Sequence, residues 1–274
     1  MTAEVKEKKA AREQYITEHL KLHYDECVAH YGHDKIWAVM LYGSQNYGLD
    51  TPDSDIDTKT LLLPSPRDVI LDNKMVSTDL QISDGGLSNV KDYRAMFQNY
   101  LKGNINFVET LFTKWARVNI NYLQWFEGLR RERDLIANCQ PRKLVHMAAG
   151  MANQKYVAFE KPFESKKEVL AKYGYDPKQL VHLCRLQYFI DVYCNSEDFE
   201  TALTPPRNKF DFLYDLKARP LPYEQAKDLK EKTMVKINNM VKWADSHLPE
   251  DNGYEEAKKF LEDLSVDVFY ASLN

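Results

Sequence analysis

Leu41-Tyr42-Gly43-Ser44-Gln45-Asn46-Tyr47-Gly48, followed by Asp53-Ser54-Asp55-Ile56-Asp57, is the part of the sequence whose reading decides the fold. Its beginning closes an apolar run, Lys35 to Tyr42, bounded by Gly32 and Gly43, which predicts a buried strand. Gly43 allows a tight exit from that strand and the close approach of a ligand to the backbone. Ser44 brings a hydroxyl and an N–H to a point where a short helix could begin, a setting that suits a phosphate. A second strand is expected from Asp55 to Leu63, after turn residues at Leu49 to Ser54 and before Pro64 and Pro66. On a strand, the two-residue period puts Asp55 and Asp57 on one face and Ile56 on the other, in the core. Two adjacent carboxylates repel unless a cation lies between them. Mg²⁺, or Mn²⁺ in its place, fits that need, because Mg²⁺ binds through one or two carboxylates plus substrate phosphates.

Working outward, Val76 to Ile82 and Leu87 to Lys91 flank Ser83-Asp84-Gly85-Gly86, a hairpin signal. The four strands predict one small mixed sheet. Upstream, Ile16, Leu20, His23, Cys27 and Tyr31 recur every three or four residues, so residues 4–31 are expected to form a helix. Beyond Asp92 the pattern is helical almost to the end, with helices expected over 92–102, 105–114, 119–137, 141–160, 164–173, 177–195, 208–217, 223–247 and 254–263. The expected class is α+β: a sheet domain with flanking helices over residues 1–139, then a helical domain over 140–274.

Composition narrows the setting. At 274 residues the chain suits one or two domains, and its 12 Phe, 17 Tyr and 4 Trp can anchor a sizeable core. The net charge of −4 excludes a protein held on nucleic acid by gross positive charge, though not one with a local basic face. The longest strongly apolar run, Ile36 to Tyr42, is far too short to span a bilayer, so no membrane association is expected. The charged N-terminus lacks the apolar segment of a signal peptide. Cys27, Cys139, Cys184 and Cys194 form no C-x-x-C pair and read as buried thiols of a cytoplasmic protein. The seven His show no metal-ligand spacing, and Arg130, Arg131 and Arg133 read as a solvated helix face.

Gly43-Ser44, ten residues, then Asp55-x-Asp57 resembles the signature of the polymerase β-type nucleotidyltransferase superfamily. The longer stretch Tyr42 to Asp57 looks like one branch of it, the predicted bacterial and phage nucleotidyltransferases that include RNA-repair-cluster-associated proteins. Leu101-Lys102-Gly103-Asn104-Ile105-Asn106-Phe107-Val108-Glu109-Thr110-Leu111-Phe112 and Tyr173-Gly174-Tyr175-Asp176-Pro177 through Leu186 fit the same branch. The resemblance covers residues 36 to 235 and omits the leading helix. It implies Mg²⁺-dependent transfer of a nucleoside monophosphate from an NTP to an acceptor hydroxyl on RNA, protein or a small molecule. By match, Gly43 and Ser44 would hold the triphosphate, and Asp55 and Asp57 would be catalytic and bind the metal. The superfamily's third carboxylate would align with Asn89, which cannot take a proton; Asp79, Asp84, Asp92 and Glu109 are the other acids in reach of the pattern. Asp84 reads as a turn residue and Asp92 as a helix cap. An alternative function is therefore a non-catalytic nucleotide- or RNA-binding module that retains the fold.

Asp176 is a good N-cap and Pro177 suits the first helical position. Lys178, His182 and Arg185 then share one face of an otherwise apolar helix. As a bare pattern this stripe is either a solvated surface or a contact for an anion. The resemblance implies that it binds the nucleotide's phosphates.

Overall fold

A computed structural model describes residues 3–51, 54–204 and 207–273. The chain divides into two compact units. The first comprises Met1–Leu101, Asn106–Ile136 and Glu255–Asn274; the second comprises Lys102–Ile105 and Ala137–Tyr254. The divide thus falls close to residue 140, but the last helix belongs with the sheet and not with the helical unit.

The first unit is built around a five-stranded mixed sheet in the order β3-β4-β2-β1-β5. Its elements are α1 (Ala3–Tyr31), β1 (Ile36–Tyr42), α2 (Ser44–Tyr47), β2 (Asp57–Leu62), α3 (Pro66–Ile70), β3 (Ser77–Gln81), β4 (Leu87–Asp92), α4 (Tyr93–Leu101), most of α5 (Ile105–Val108), β5 (Ala116–Val118), α6 (Leu123–Arg131) and the first four residues of α7 (Arg133–Asn138). β2 and β4 run parallel, and the other neighbours are antiparallel. One sheet face is closed by α1, where Leu20 and Cys27 pack with Ile36, Val39, Leu62 and Val90, and Ile16 packs with Leu41 and Ile56. His23 occupies the same apolar stripe and is fully buried. Tyr93 and Phe97 of α4 meet Trp37 of β1 edge-on, with ring centroids 6.2 and 6.1 Å apart, a geometry that aligns ring edge and face favourably.

The second unit contains α8 (Pro141–Ala158), α9 (Lys167–Tyr173), α10 (Pro177–Ser196), α11 (Phe199–Leu203), α12 (Arg207–Ala218) and α13 (Tyr223–His247). α10 is central: α8, α11, α12 and α13 all pack against it. Its start follows the sequence expectation, with Asp176 accepting the Lys178 amide at 3.0 Å and Pro177 in the first turn. The final helix, α14 (Tyr254–Ala271), is counted with the sheet unit, where the Tyr93 hydroxyl donates to the Ser265 carbonyl at 3.4 Å.

Several boundaries differ from the sequence expectation. A fifth strand, Ala116–Val118, pairs with Ala38 to Met40 of β1, and the helix expected over 105–114 is correspondingly shorter. Three residues are too few to display a two-residue alternation, so pairing with β1 creates this strand. The segment 119–137 is broken near Glu132 into α6 and α7, and α14 runs past residue 263 to Ala271. The Pro64 to Pro66 stop begins a short helix, because Ser65 and Asp68 form a reciprocal capping box. The four cysteines are buried free thiols. Among the described residues, no helix is long and apolar enough to cross a membrane.

Candidate functional site

β1 ends at Tyr42, and Gly43 turns the chain with φ 82°, a value L side chains rarely adopt. α2 follows, and Gly43 and Ser44 are half-exposed. The chain returns through a loop that α1 holds: Arg12 donates to both carboxylate oxygens of Asp50, at 2.7 and 3.0 Å, and to the Gln45 carbonyl at 2.7 Å. Pro52 and Asp53 lie outside the described residues. Asp55 precedes β2 and is exposed, Ile56 is buried, and Asp57 opens β2 half-exposed, paired in register with Tyr42. The expected alternation holds, although β2 begins at Asp57 and not at Asp55.

This segment is gripped from behind. The His23 Nδ1 lies 2.9 Å from the Thr58 hydroxyl. Its Nε2 is 3.3 Å from Asp84 Oδ2, which is also 2.6 Å from His19 Nδ1. Burial pushes the His23 pKa down against the opposing pull of Asp84 and Asp57. Asp84 Oδ1 accepts the Gly86 amide at 2.9 Å, as expected of a turn residue. A Cβ on Gly86 would stand 2.2 Å from the Ile56 carbonyl oxygen and 3.0 Å from the His23 ring. The β3–β4 hairpin therefore closes onto the backbone between the two aspartates. Burial, with the charges of Asp84 and Asp55, raises the pKa of Tyr15 on the same helix.

The sheet face that carries Asp57 also carries a second set of charges. Register places Lys59 opposite Asn89, and Asn89 opposite Asp79. Asn89 Nδ2 donates to Asp79 Oδ1 at 2.6 Å, so an exposed carboxylate stands beside the asparagine. Lys59 is 3% exposed, with its ammonium 3.9 Å from the Tyr42 ring centroid and 4.1 Å from that of Phe107. Burial pushes its pKa down to about 8, against the pull of Glu109, Asp79 and Asp57. Glu109 is buried, and its Oε1 accepts the Gly43 amide at 2.8 Å. That amide, assigned by the resemblance to the triphosphate, is held here by a carboxylate of the protein. Asp92 caps α4 by accepting the Arg94 amide at 2.9 Å, and it pairs with the Arg94 guanidinium at 2.7 Å.

Among the described residues, no group of three or more His, Cys, Asp or Glu side chains is placed to hold a metal ion. The donor chemistry of Asp55 and Asp57, two hard-oxygen carboxylates at a solvent-accessible strand end, fits Mg²⁺ or Mn²⁺ provided that a ligand's phosphate oxygens complete the shell.

In the helical unit, Lys178 is exposed, His182 is half-buried and Arg185 is 5% exposed. The stripe therefore runs inward and is not a solvated surface. Burial pushes the His182 pKa down to about 3, assisted by Arg185, Lys155, Lys178 and Lys217. Elsewhere, the run at Arg130 to Arg133 is less solvated than its pattern suggests: Arg130 donates to the Thr113 carbonyl at 3.2 Å and Arg133 lies over the Phe112 ring.

Sequence reasoning did not find Lys59. Lys59 could have been found, since a lysine two residues beyond Asp57 shares its strand face. Comparison with models of known families gives no match, and comparison with curated proteins gives none.

Proposed function

We propose that the protein is a divalent-metal-dependent nucleotidyltransferase of the polymerase β type, moving a nucleoside monophosphate from an NTP to an acceptor hydroxyl. The supporting observation is the pairing of Tyr42, the residue before the Gly43-Ser44 turn, with Asp57 at the strand end, with Asp55 exposed two residues earlier. Asp55 and Asp57 would hold Mg²⁺ or Mn²⁺, which when bound supplies positive charge to the phosphates and acidity to the acceptor hydroxyl. Ser44 offers its hydroxyl and N–H to phosphate oxygens at the exit of β1. Lys178, His182 and Arg185 are assigned to phosphate binding. Lys59 places a buried cation behind Asp57 and offsets the carboxylates of this face. Asp79 is the exposed carboxylate of the same face that can take the proton of the acceptor hydroxyl, while pyrophosphate leaves from the α-phosphorus. Orientation and charge stabilisation are the main contributions a protein makes to this chemistry.

A second reading, a nucleotide- or RNA-binding module without turnover, draws on the Gly43 amide being engaged by Glu109 and on Asn89. Incubation with α-labelled NTPs, Mg²⁺ or Mn²⁺, and RNA, protein and small-molecule acceptors separates the two. Label transfer with pyrophosphate release is expected, and Asp55→Asn and Asp57→Asn should each abolish it in a protein that stays folded by circular dichroism. NTP binding without pyrophosphate release selects the binding module. An Asp55→Asn protein that binds Mg-NTP like wild type refutes the site.

A further inference from the structure

Glu109 reaches the exit of β1 twice. Its Oε1 accepts the Gly43 amide at 2.8 Å, and its backbone carbonyl accepts from Asn46 Nδ2 at 3.5 Å. These contacts bracket a turn that closes on itself, with the Asn46 amide donating to the Gly43 carbonyl at 2.9 Å. Two residues before Glu109, the Phe107 ring centroid lies 4.1 Å from the Lys59 ammonium, which is also 3.9 Å from the Tyr42 ring centroid. One short segment, Phe107 to Glu109, therefore ties the end of β1 to β2, the strand that Asp57 opens.

Glu109 is 1% exposed and Phe107 is 8% exposed, so burial fixes both. A buried carboxylate is costly unless it is hydrogen-bonded, and here a backbone amide supplies one such bond. Glycine at φ 82° has no side chain to lock its conformation and is the freest point of the turn. The bond to Glu109 removes that freedom. A Cβ built on Gly43 would meet no atom within 4 Å, so the turn is open on that side while its amide is directed at Glu109. Ser44, half-exposed, is the next residue along the chain with an N–H and a hydroxyl to offer.

We propose that Glu109 is a positioning residue of the nucleotide site: it engages the Gly43 amide so that the turn presents Ser44, and not Gly43, as the donor to phosphate. Phe107 completes the brace through Lys59 and Tyr42, which keeps the turn in place relative to Asp57. The inference rests on the nucleotidyltransferase reading and assigns the Gly43 amide to the fold. Holding the phosphate donor and the metal-binding strand in one arrangement serves the orientation on which nucleotidyl transfer depends.

The test compares Glu109→Gln, whose side-chain carbonyl can still accept the Gly43 amide, with Glu109→Leu, which has no acceptor. Both are checked for folding by circular dichroism. In the ligand-free protein, hydrogen exchange at the Gly43 amide should be slow in wild type and in the Gln variant, and faster in the Leu variant. Calorimetric titration of the full chain with each of the four NTPs in Mg²⁺ should show binding within about threefold of wild type for Gln and at least about tenfold weaker for Leu, as expected for one lost charge-assisted contact. Asn46→Ala, at a half-exposed residue, keeps the carboxylate bond and should lose less than Glu109→Leu. A further measurement needs no variant: saturating Mg-NTP should shift the Ser44 amide resonance of wild type and leave the Gly43 amide protected as before. The role is overturned if Gly43 exchanges freely in ligand-free wild type, if the folded Leu variant binds like wild type, or if the Gln variant binds as weakly as Leu. It is equally overturned if nucleotide shifts Gly43 and not Ser44. Each of these results leaves the transferase reading standing, whereas a wild type that binds none of the four NTPs refutes that reading and this role with it.

Discussion

The aspartate end of the sheet and the cationic stripe of α10 in the helical unit are charged surfaces built in opposite ways. Asp55 and Asp57 are neighbours in sequence, exposed or half-exposed, and directed by strand alternation around a buried Ile56. Their charge stays largely in water, and the fold's effort goes into placing the backbone, through Arg12 on Asp50, His23 on Thr58 and Gly86 against Ile56. Lys178, His182 and Arg185 share one face of α10, and burial deepens along that face from exposed Lys178 to buried Arg185. The contrast shows that a local pattern can set which way charges point, whereas only packing decides how deeply each one is buried.

The strongest way to break the aspartate end is to open its backing. In Gly86→Ala the new Cβ meets the Ile56 carbonyl, a backbone atom that cannot swing away. A loss of about 3 kcal/mol in urea unfolding is expected, at the upper end of overpacking costs. Mg-NTP binding should fall with it. A loss below about 0.5 kcal/mol, the range of an indifferent surface change, would show that the hairpin does not grip this strand.

Lys59 sharpens the comparison, because it is a buried cation in the sheet unit. In the folded state its pKa is about 8 against an ordinary 10.5, so between these values the unfolded chain binds more protons and stability rises with pH. Below about 8 the gain is absent. Relative to Lys59→Met, wild type should gain up to about 2 kcal/mol between pH 8 and 10, measured as the difference of two denaturation series. Parallel pH profiles would refute the burial of a charged Lys59.

The smallest effect concerns His182. Its folded pKa lies below the unfolded 6.5, so its contribution to stability is full above 6.5 and is lost as pH falls toward about 3. From pH 6.5 to 5.5, wild type should lose about 1 kcal/mol more than His182→Gln. A pH profile parallel to that of His182→Gln would refute the burial of a neutral imidazole.

Part of this was legible before any coordinates. The α1 stripe of Ile16, Leu20, His23 and Cys27, the four longer strands, the Asp176 cap and the outward Asp55/Asp57 pair all follow from periodicity within a few residues. β5 was not legible, because its three residues become a strand only by pairing with β1. The leading helix lies outside the family-like region, yet its Arg12 and His23 hold the very loop and strand that the motif names.

By itself the sequence determined the alternation at Asp55-Ile56-Asp57 and the shared face of Lys178, His182 and Arg185, because side-chain direction repeats with the backbone's own period. It did not determine that Glu109 would hold the Gly43 amide or that Asp79 would stand beside Asn89. Those neighbours are separated by tens of residues along the chain or lie on different strands and helices. Sheet register and helix packing alone bring them within reach, and they do so to bury apolar surface, a force that has no direction of its own.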